Sequence, residues 1–414
     1  MKGKGVKVKR YRHIYRRSRG ALLLRGIGTL AVISLLAFVG WSAYAPVIEF
    51  LNGLEKPLPV SASVSESQPE QEESSSQSEA EKPLPAQAPF HAAYLPVSAL
   101  TNSAGLERAL AELEGMDINA ILFDLKDVNG QVLYQSELLQ VETAEAQAAG
   151  AYDLERLCKQ LKEAGYTPIG RLNAFRDPIG AKLEGAGVRY LDTDVLWLDN
   201  SQEMGGKPWL NPYARPARSY LYALMSEAIS FGVEQILLDH VCFPSGYGLE
   251  YAGYGNVNMS KPEALSSFIE QAQERAASLG ASVRVYVTGL AALGVYNDYY
   301  GDVNPLTLTD NLVLGTMPSQ FGDGFTLGAD AAQPFTVERP ILQPGQTIEM
   351  LLDTLKPALA GKELAGMVQG YTATGSYLHN KVYAASDLAE QIEALESRSI
   401  HSYILYHPMG TYPK

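Results

Sequence analysis

From Phe90 onward, apolar runs of strand length alternate with stretches whose apolar residues recur at helical spacing. The expected strands are residues 91–99, 119–127, 167–175, 235–241, 283–289, 311–317, 365–371 and 402–408. Between most of them lie the helical patterns "GLERALAELEG", "DLERLCKQLKEAG", "PARSYLYALMSEAISFG", "PEALSSFIEQAQERAASLG" and "LAEQIEALESRS". Several of these end in the glycine that commonly stops a helix. A strand, a helix and another strand in succession give parallel pairing through a crossover. Eight such strands predict an α/β fold, a (β/α)8 TIM barrel with some long loops, over residues 89–414. An open doubly wound sheet is the alternative. Against it, no strand leads into the G-x-G-x-x-G turn with which such sheets hold a dinucleotide.

The chain before the barrel divides into three parts. Residues 1–25 hold ten Lys/Arg and no acid. Residues 26–50 follow, uncharged from Ile27 to Ile48, which is long enough to cross a bilayer as one helix. Trp41 and Tyr44 stand near its far end, where amphipathic rings favour the interface. The basic flank predicts a cytoplasmic N-terminus, an uncleaved signal anchor and a barrel outside a bacterial cell membrane, crossed once. A cleaved signal peptide is the alternative, since "WSAYA" offers small residues for cleavage. Residues 51–88 are rich in Ser, Glu, Gln and Pro, have little to bury, and are expected to form a disordered linker.

The net charge of -13 conceals this division. Removing the ten basic residues of the head from the 33 Lys/Arg of the chain leaves 23 against 46 Asp/Glu. A body so acidic excludes a nucleic-acid partner, which needs a basic footprint. Two cysteines, Cys158 and Cys242, demand no disulfide. The six histidines form neither H-x-H nor H-E-x-x-H, and no G-x-S-x-G elbow occurs. Neither a zinc site nor a serine nucleophile is therefore called for, nor any cofactor.

In a parallel barrel, functional side chains gather where the strands end. The second strand offers Asp124, Lys126 and Asp127, and the third Arg171 and Asn173. Asp239 and His240 end the fourth, Tyr286 lies on the fifth, Tyr371 follows the seventh and His407 the eighth. By alternation, Asp124 and Lys126 share one strand face, as do Arg171 and Asn173. Asp239 follows an apolar run, where a carboxylate is costly unless paired or used. Its alternative role is a structural ion pair, for instance with Arg171. Many of the 24 tyrosines fall in loops such as "GYGLEYAGYG" and "GVYNDYYGD", where their flat faces suit stacking on sugar rings. Dispersed carboxylates near such rings match glycosidic bond cleavage, which needs two carboxyl groups.

The segment "PWLNPYARPARSYLYALMSEAISFGVEQILLDHVCFP" resembles the DUF4015 group of bacterial glycoside hydrolase-like proteins, TIM barrels related to amylase-like enzymes. Trp209, Pro212, Tyr213, Glu227, Gly232, Ile236, Asp239, Val241, Phe243 and Pro244 match the group's pattern in order. "ILFDLKDVNGQVLY" and "GRLNAFRDP" are similar to two further motifs of the group, through Asp124, Lys126, Asp127, Gly130, Arg171, Phe175, Asp177 and Pro178. The resemblance covers roughly residues 90–412. It implies a hydrolase of cell-envelope or extracellular polysaccharide, with Asp239 as main catalytic carboxylate and Asp124, then Asp127, as candidates for the second. Lys126, Arg171, Asn173, His240 and His407 would bind substrate, with Trp209, Tyr286 and Tyr371 as sugar contacts. The chain also departs from the group. His240 and Cys242 stand where Tyr and Arg are usual, Tyr286 stands at an Asp position, and Gln320 and Phe321 replace His and Tyr. A catalytically inactive barrel that binds glycan or serves as an envelope scaffold is therefore the alternative function.

Overall fold

The computed structural model describes residues 88–328, 334–375 and 378–414. The basic head, the expected membrane span and nearly all of the linker lie outside the described residues. Among the described residues, no helix is long and apolar enough to cross a membrane.

Eight parallel strands form a closed ring. They are β1 (His91–Tyr94), β2 (Ala120–Lys126), β3 (Thr167–Asn173), β4 (Gln235–Asp239), β5 (Ser282–Thr288), β6 (Asn311–Gly315), β7 (Glu363–Gln369) and β8 (Ser402–Tyr406). Each pairs with the next, and β1 pairs with both β2 and β8. That last pairing excludes an open sheet. The expected strands all occur, but most end two residues or more earlier than the apolar pattern suggests; β1 is cut shortest, because Pro96 leads into a short helical turn over Val97–Leu100.

Six longer helices surround the ring: α1 (Ser103–Ala111), α2 (Leu154–Glu163), α3 (Arg215–Ser230), α4 (Lys261–Ser278), α5 (Pro344–Leu359) and α6 (Ala385–Glu396). Their starts follow from local chemistry. The Asp153 side chain accepts from Arg156 N at the head of α2, and Ser260 with Glu263 forms a reciprocal capping box on α4. The crossover from β5 to β6 holds only short turns of helix.

Side-chain alternation sorts the strands into two cores. Ala92, Ala120, Leu122, Ile169, Leu237, Val313, Met367 and Ile404 fill the barrel interior. Ile121, Phe123, Leu125, Leu172, Ile236 and Leu238 pack outward against the helices. One irregularity breaks the alternation: β2 bulges between Asp124 and Lys126, so that Asp124 opposes Arg171 and Lys126 opposes Leu172. Asp124 therefore stays on the inner face while Lys126 turns to the outer one.

Two loops rise from the C-terminal ends of β3 and β4. Short antiparallel strands, Arg189–Tyr190 and Ala252–Gly253, join them above the ring.

Candidate functional site

The inner face of the strands turns polar at one level. Tyr94 stands two residues beyond interior Ala92, Asp124 beyond Leu122, and Arg171 beyond Ile169. Asp239 stands two beyond Leu237, Gln369 beyond Met367, and Tyr406 beyond Ile404. Strand periodicity thus delivers these groups to the mouth of the barrel.

Asp124 and Arg171 form a two-point clamp. Arg171 Nε donates to Asp124 Oδ1 at 2.5 Å and Nη2 donates to Oδ2 at 3.1 Å. The Tyr94 hydroxyl donates to the same Oδ2 at 2.8 Å. The guanidinium lies 5.3 Å from the Tyr94 ring centre and 5.4 Å from that of Tyr406. Burial works against the Arg171 cation, but the Asp124 and Asp239 charges hold its pKa well above the ordinary value. Burial, with the neighbouring Asp124 charge, likewise pushes the Tyr94 phenol up.

Asp239 is held differently. Its Oδ1 accepts from the backbone N–H of His240 at 2.7 Å. The His240 imidazole Nδ1 lies 3.0 Å from the same oxygen, at ion-pair distance but outside hydrogen-bond geometry. Among the described residues, no hydrogen bond reaches Oδ2. The side chain is 13% exposed. Burial alone would raise its pKa, yet His240 and Arg171 outweigh it and hold the carboxyl below the ordinary value. His240 itself has φ 51°, the left-handed region that a side chain with a Cβ rarely adopts.

Tyr286 faces the same mouth. Its hydroxyl lies so close to Gly315 that a Cβ there would collide with it. Burial, then the Asp239 charge, raises its phenol pKa. Nearby, Ser319 Oγ and the Tyr371 hydroxyl are 2.8 Å apart, and Gln369 Nε2 donates to Tyr371 O. The His407 ring packs edge-on to Tyr371 and Tyr412, with Nδ1 accepting from Met409 N. Burial lowers its pKa, which favours the neutral ring. Asn173 is buried opposite Asp239, its Nδ2 donating to Lys126 O and its Oδ1 without a hydrogen bond among the described residues.

Three expected site residues lie elsewhere. Lys126 is fully buried on the outer face, where Nζ bonds Asp177 Oδ2 and Ala174 O; the β2 bulge is the cause. Asp127 folds over its own turn, with Oδ1 accepting from Asn129 N and Gln131 N. Trp209 is 3% exposed, packed with Val188, Trp197 and Cys242, and its indole N–H donates to Asp199. Its ring supports the loop and offers no face to a sugar. Glu227, matched by pattern, accepts from the Tyr134 and Ser136 hydroxyls and from Glu137 N in the segment that follows β2. Conversely, Tyr94 belongs to the site without having been singled out in the sequence. Its signal is its alternation with Ala92 and its place at the end of β1.

A cavity of about 580 Å³ lies between the loops after β3 and β4, and neither Asp124 nor Asp239 lines it. It is therefore distinct from the barrel mouth. Among the described residues, no group of His, Cys, Asp and Glu is placed to hold a metal ion.

Comparison with known proteins agrees with this architecture. The glycoside hydrolase domain of PgaB (BpsB) from Bordetella bronchiseptica is 13% identical, with 78% of this chain and 95% of that one covered at a TM-score of 0.54, which shows a shared fold. A hypothetical protein from Ruminiclostridium thermocellum ATCC 27405 is 25% identical over 46% of this chain and 95% of its own, at a TM-score of 0.41. The glycoside hydrolase domain of PelA from Pseudomonas aeruginosa is 13% identical over 78% of this chain and 97% of its own, at 0.36. No curated protein matches the chain. The DUF4015 family pattern, described as "Putative glycosyl hydrolase domain", matches residues 92–412, and the chain belongs to that family.

Proposed function

We propose that the protein hydrolyses a cell-envelope or extracellular polysaccharide, with Asp239 as the reacting carboxylate. The unequal occupancy of the two inner acids carries this reading. Both oxygens of Asp124 are held by Arg171 and Tyr94, whereas Asp239 keeps Oδ2 without a hydrogen bond among the described residues. An ionised carboxylate with one free oxygen at a barrel mouth can activate a water or attack an anomeric carbon directly. Asp124 would have to release Arg171 or Tyr94 before acting as a second acid. Its supported role is to fix the guanidinium that faces substrate hydroxyls. We assign the proton for the departing oxygen to His240, which is 27% exposed beside Asp239. Tyr286, Tyr371 and His407 would line the sugar path. The glycoside hydrolase domain of PgaB, which shares the fold, supports glycan hydrolysis as the reaction class.

The apolar segment 26–50 would anchor the protein with a cytoplasmic N-terminus, and the linker 51–88 would hold the barrel outside the membrane. A reporter fused after Lys414 and assayed in intact cells tests that orientation.

A second reading, glycan binding without cleavage, draws on the groups that set the charge of Asp239, which among the described residues are His240 and Arg171 and no second carboxyl. One experiment separates the two. Full-length protein and its Asp239→Asn variant are incubated with a panel of polysaccharides. Products released by the wild type alone establish hydrolysis. Bound glycan with identical products, or none, from both proteins establishes the binding role.

A further inference from the structure

We infer that the cavity between the loops after β3 and β4 is a second carbohydrate site, which holds one unit of the polymer while another lies at Asp239. The identity of the polymer rests on the hydrolase reading above; the existence of the site does not.

Four observations support it. The volume of about 580 Å³ falls in the range of small-molecule sites. Three half-buried tyrosines, Tyr190, Tyr213 and Tyr254, line it, and among the described residues their hydroxyls make no hydrogen bond within the protein. Flat rings with free hydroxyls suit the alternating apolar faces and polar edges of a sugar. The charges disfavour anions: the lining sets one cation, Arg189, against two acids, Asp192 and Asp194, and Arg189 Nη1 already donates to Asp194 O. A phosphate or uronate would meet those carboxylates, whereas a neutral or amino sugar would not be repelled. The same two loops expose Leu191, Val195 and Tyr251, and Val257 of the lining is exposed too, which is more apolar surface than a solvated loop needs.

The cavity is also tied to the barrel mouth. Its two loops start from Asn173 and Asp239, and their strands Arg189–Tyr190 and Ala252–Gly253 lock them together. Beneath them, Cys242, three residues after Asp239, packs with Val188, Trp197, Trp209 and Ala252, and Tyr190 and Tyr254 rest on that small core. The offset between the two sites is therefore fixed by packed side chains. One chain long enough to reach both would gain from two attachments, and a disaccharide would not.

The test uses full-length protein carrying Asp239→Asn to prevent turnover, and a glycan array of neutral, amino and anionic oligomers from disaccharide to decasaccharide. Decasaccharides of a neutral or amino sugar should bind roughly tenfold to a hundredfold tighter than their disaccharides. Plugging the cavity with Asn256→Trp, or independently with Val257→Trp, should abolish that length dependence, while Asn256→Ala should retain it. Length-independent binding in the unplugged protein overturns the proposal. So does full length dependence in a plugged protein whose melting temperature is unchanged. Crystals soaked with the best decasaccharide need no plug, and density absent from the cavity also overturns it. A wild type that cleaves nothing, while plug-sensitive binding persists, refutes hydrolysis and leaves the second site standing.

Discussion

Asp124 and Arg171 face each other in register on adjacent strands, and the guanidinium takes both oxygens of the carboxylate. Two charges that could each have served substrate are thereby joined in one largely buried, rigid unit. Planar two-point pairing of this kind fixes orientation as well as charge.

Removing the guanidinium should be costly for that reason. Arg171→Met leaves Asp124 nearly buried with only Tyr94 as partner, and should destabilise the fold by about 3–5 kcal/mol in denaturant unfolding. Arg171→Lys, which retains charge but not the fork, should fold better than Arg171→Met and still raise KM.

Asp239→Asn should reduce kcat roughly 100-fold to 10,000-fold, the usual contribution of a positioned acid or base. The wild-type carboxyl is held below its ordinary value of 3.8. Its stabilising contribution is present above the unfolded value and is lost as pH falls through the lowered one. Activity on the acid side should therefore persist below the ordinary carboxylate range. A rate–pH profile whose acid limb lies above that range would contradict this assignment.

His240→Gln should discriminate between leaving groups. If the imidazole supplies the proton, hydrolysis of glycosides with poor alkyl leaving groups should fall far more than that of activated aryl glycosides, which depart without protonation. Equal loss on both would assign His240 to positioning Asp239 alone.

Lys126 and Asp177 are both fully buried, and Asp177 also accepts from Ile179 N and Gly180 N. Lys126→Met strands that carboxylate and should cost about 3–5 kcal/mol of stability. The loss should appear in melting temperature, with the KM of any remaining folded enzyme unchanged, since the lysine faces away from the mouth.

Cys158 and Cys242 are free and buried, and burial pushes both thiols up to about 12. A thiol-alkylating reagent at neutral pH should therefore leave the native protein unmodified by mass, and should label both residues once denaturant is added.

The barrel was legible in the sequence because its strands and helices carry opposite periodicities. Asp239 and Arg171 were legible because each ends or interrupts an apolar run. Lys126 was misplaced by one bulge, which no two-residue repeat can reveal. Trp209 and Asp127 were misassigned because a matched pattern does not distinguish a residue that supports a loop from one that touches substrate. Helix α5 does carry a helical signal, in Ile348, Leu351, Leu352, Leu355 and Leu359, behind a Pro-Gly start that reads as a turn. Joining of the loops through Arg189–Tyr190 depends on contacts some sixty residues apart in sequence, beyond the reach of local pattern.

Tyr94 comes from the first strand of the ring and Tyr406 from the last, and both rings flank Arg171. Because β1 and β8 pair only when the final segment is in place, a chain still emerging from the ribosome or an export channel cannot assemble this cluster. Premature termination before Ser402 would remove one flank of Arg171 along with the seam. The mouth is thereby finished only in a chain that carries both His91–Tyr94 and Ser402–Tyr406, the two strands farthest apart in the barrel sequence.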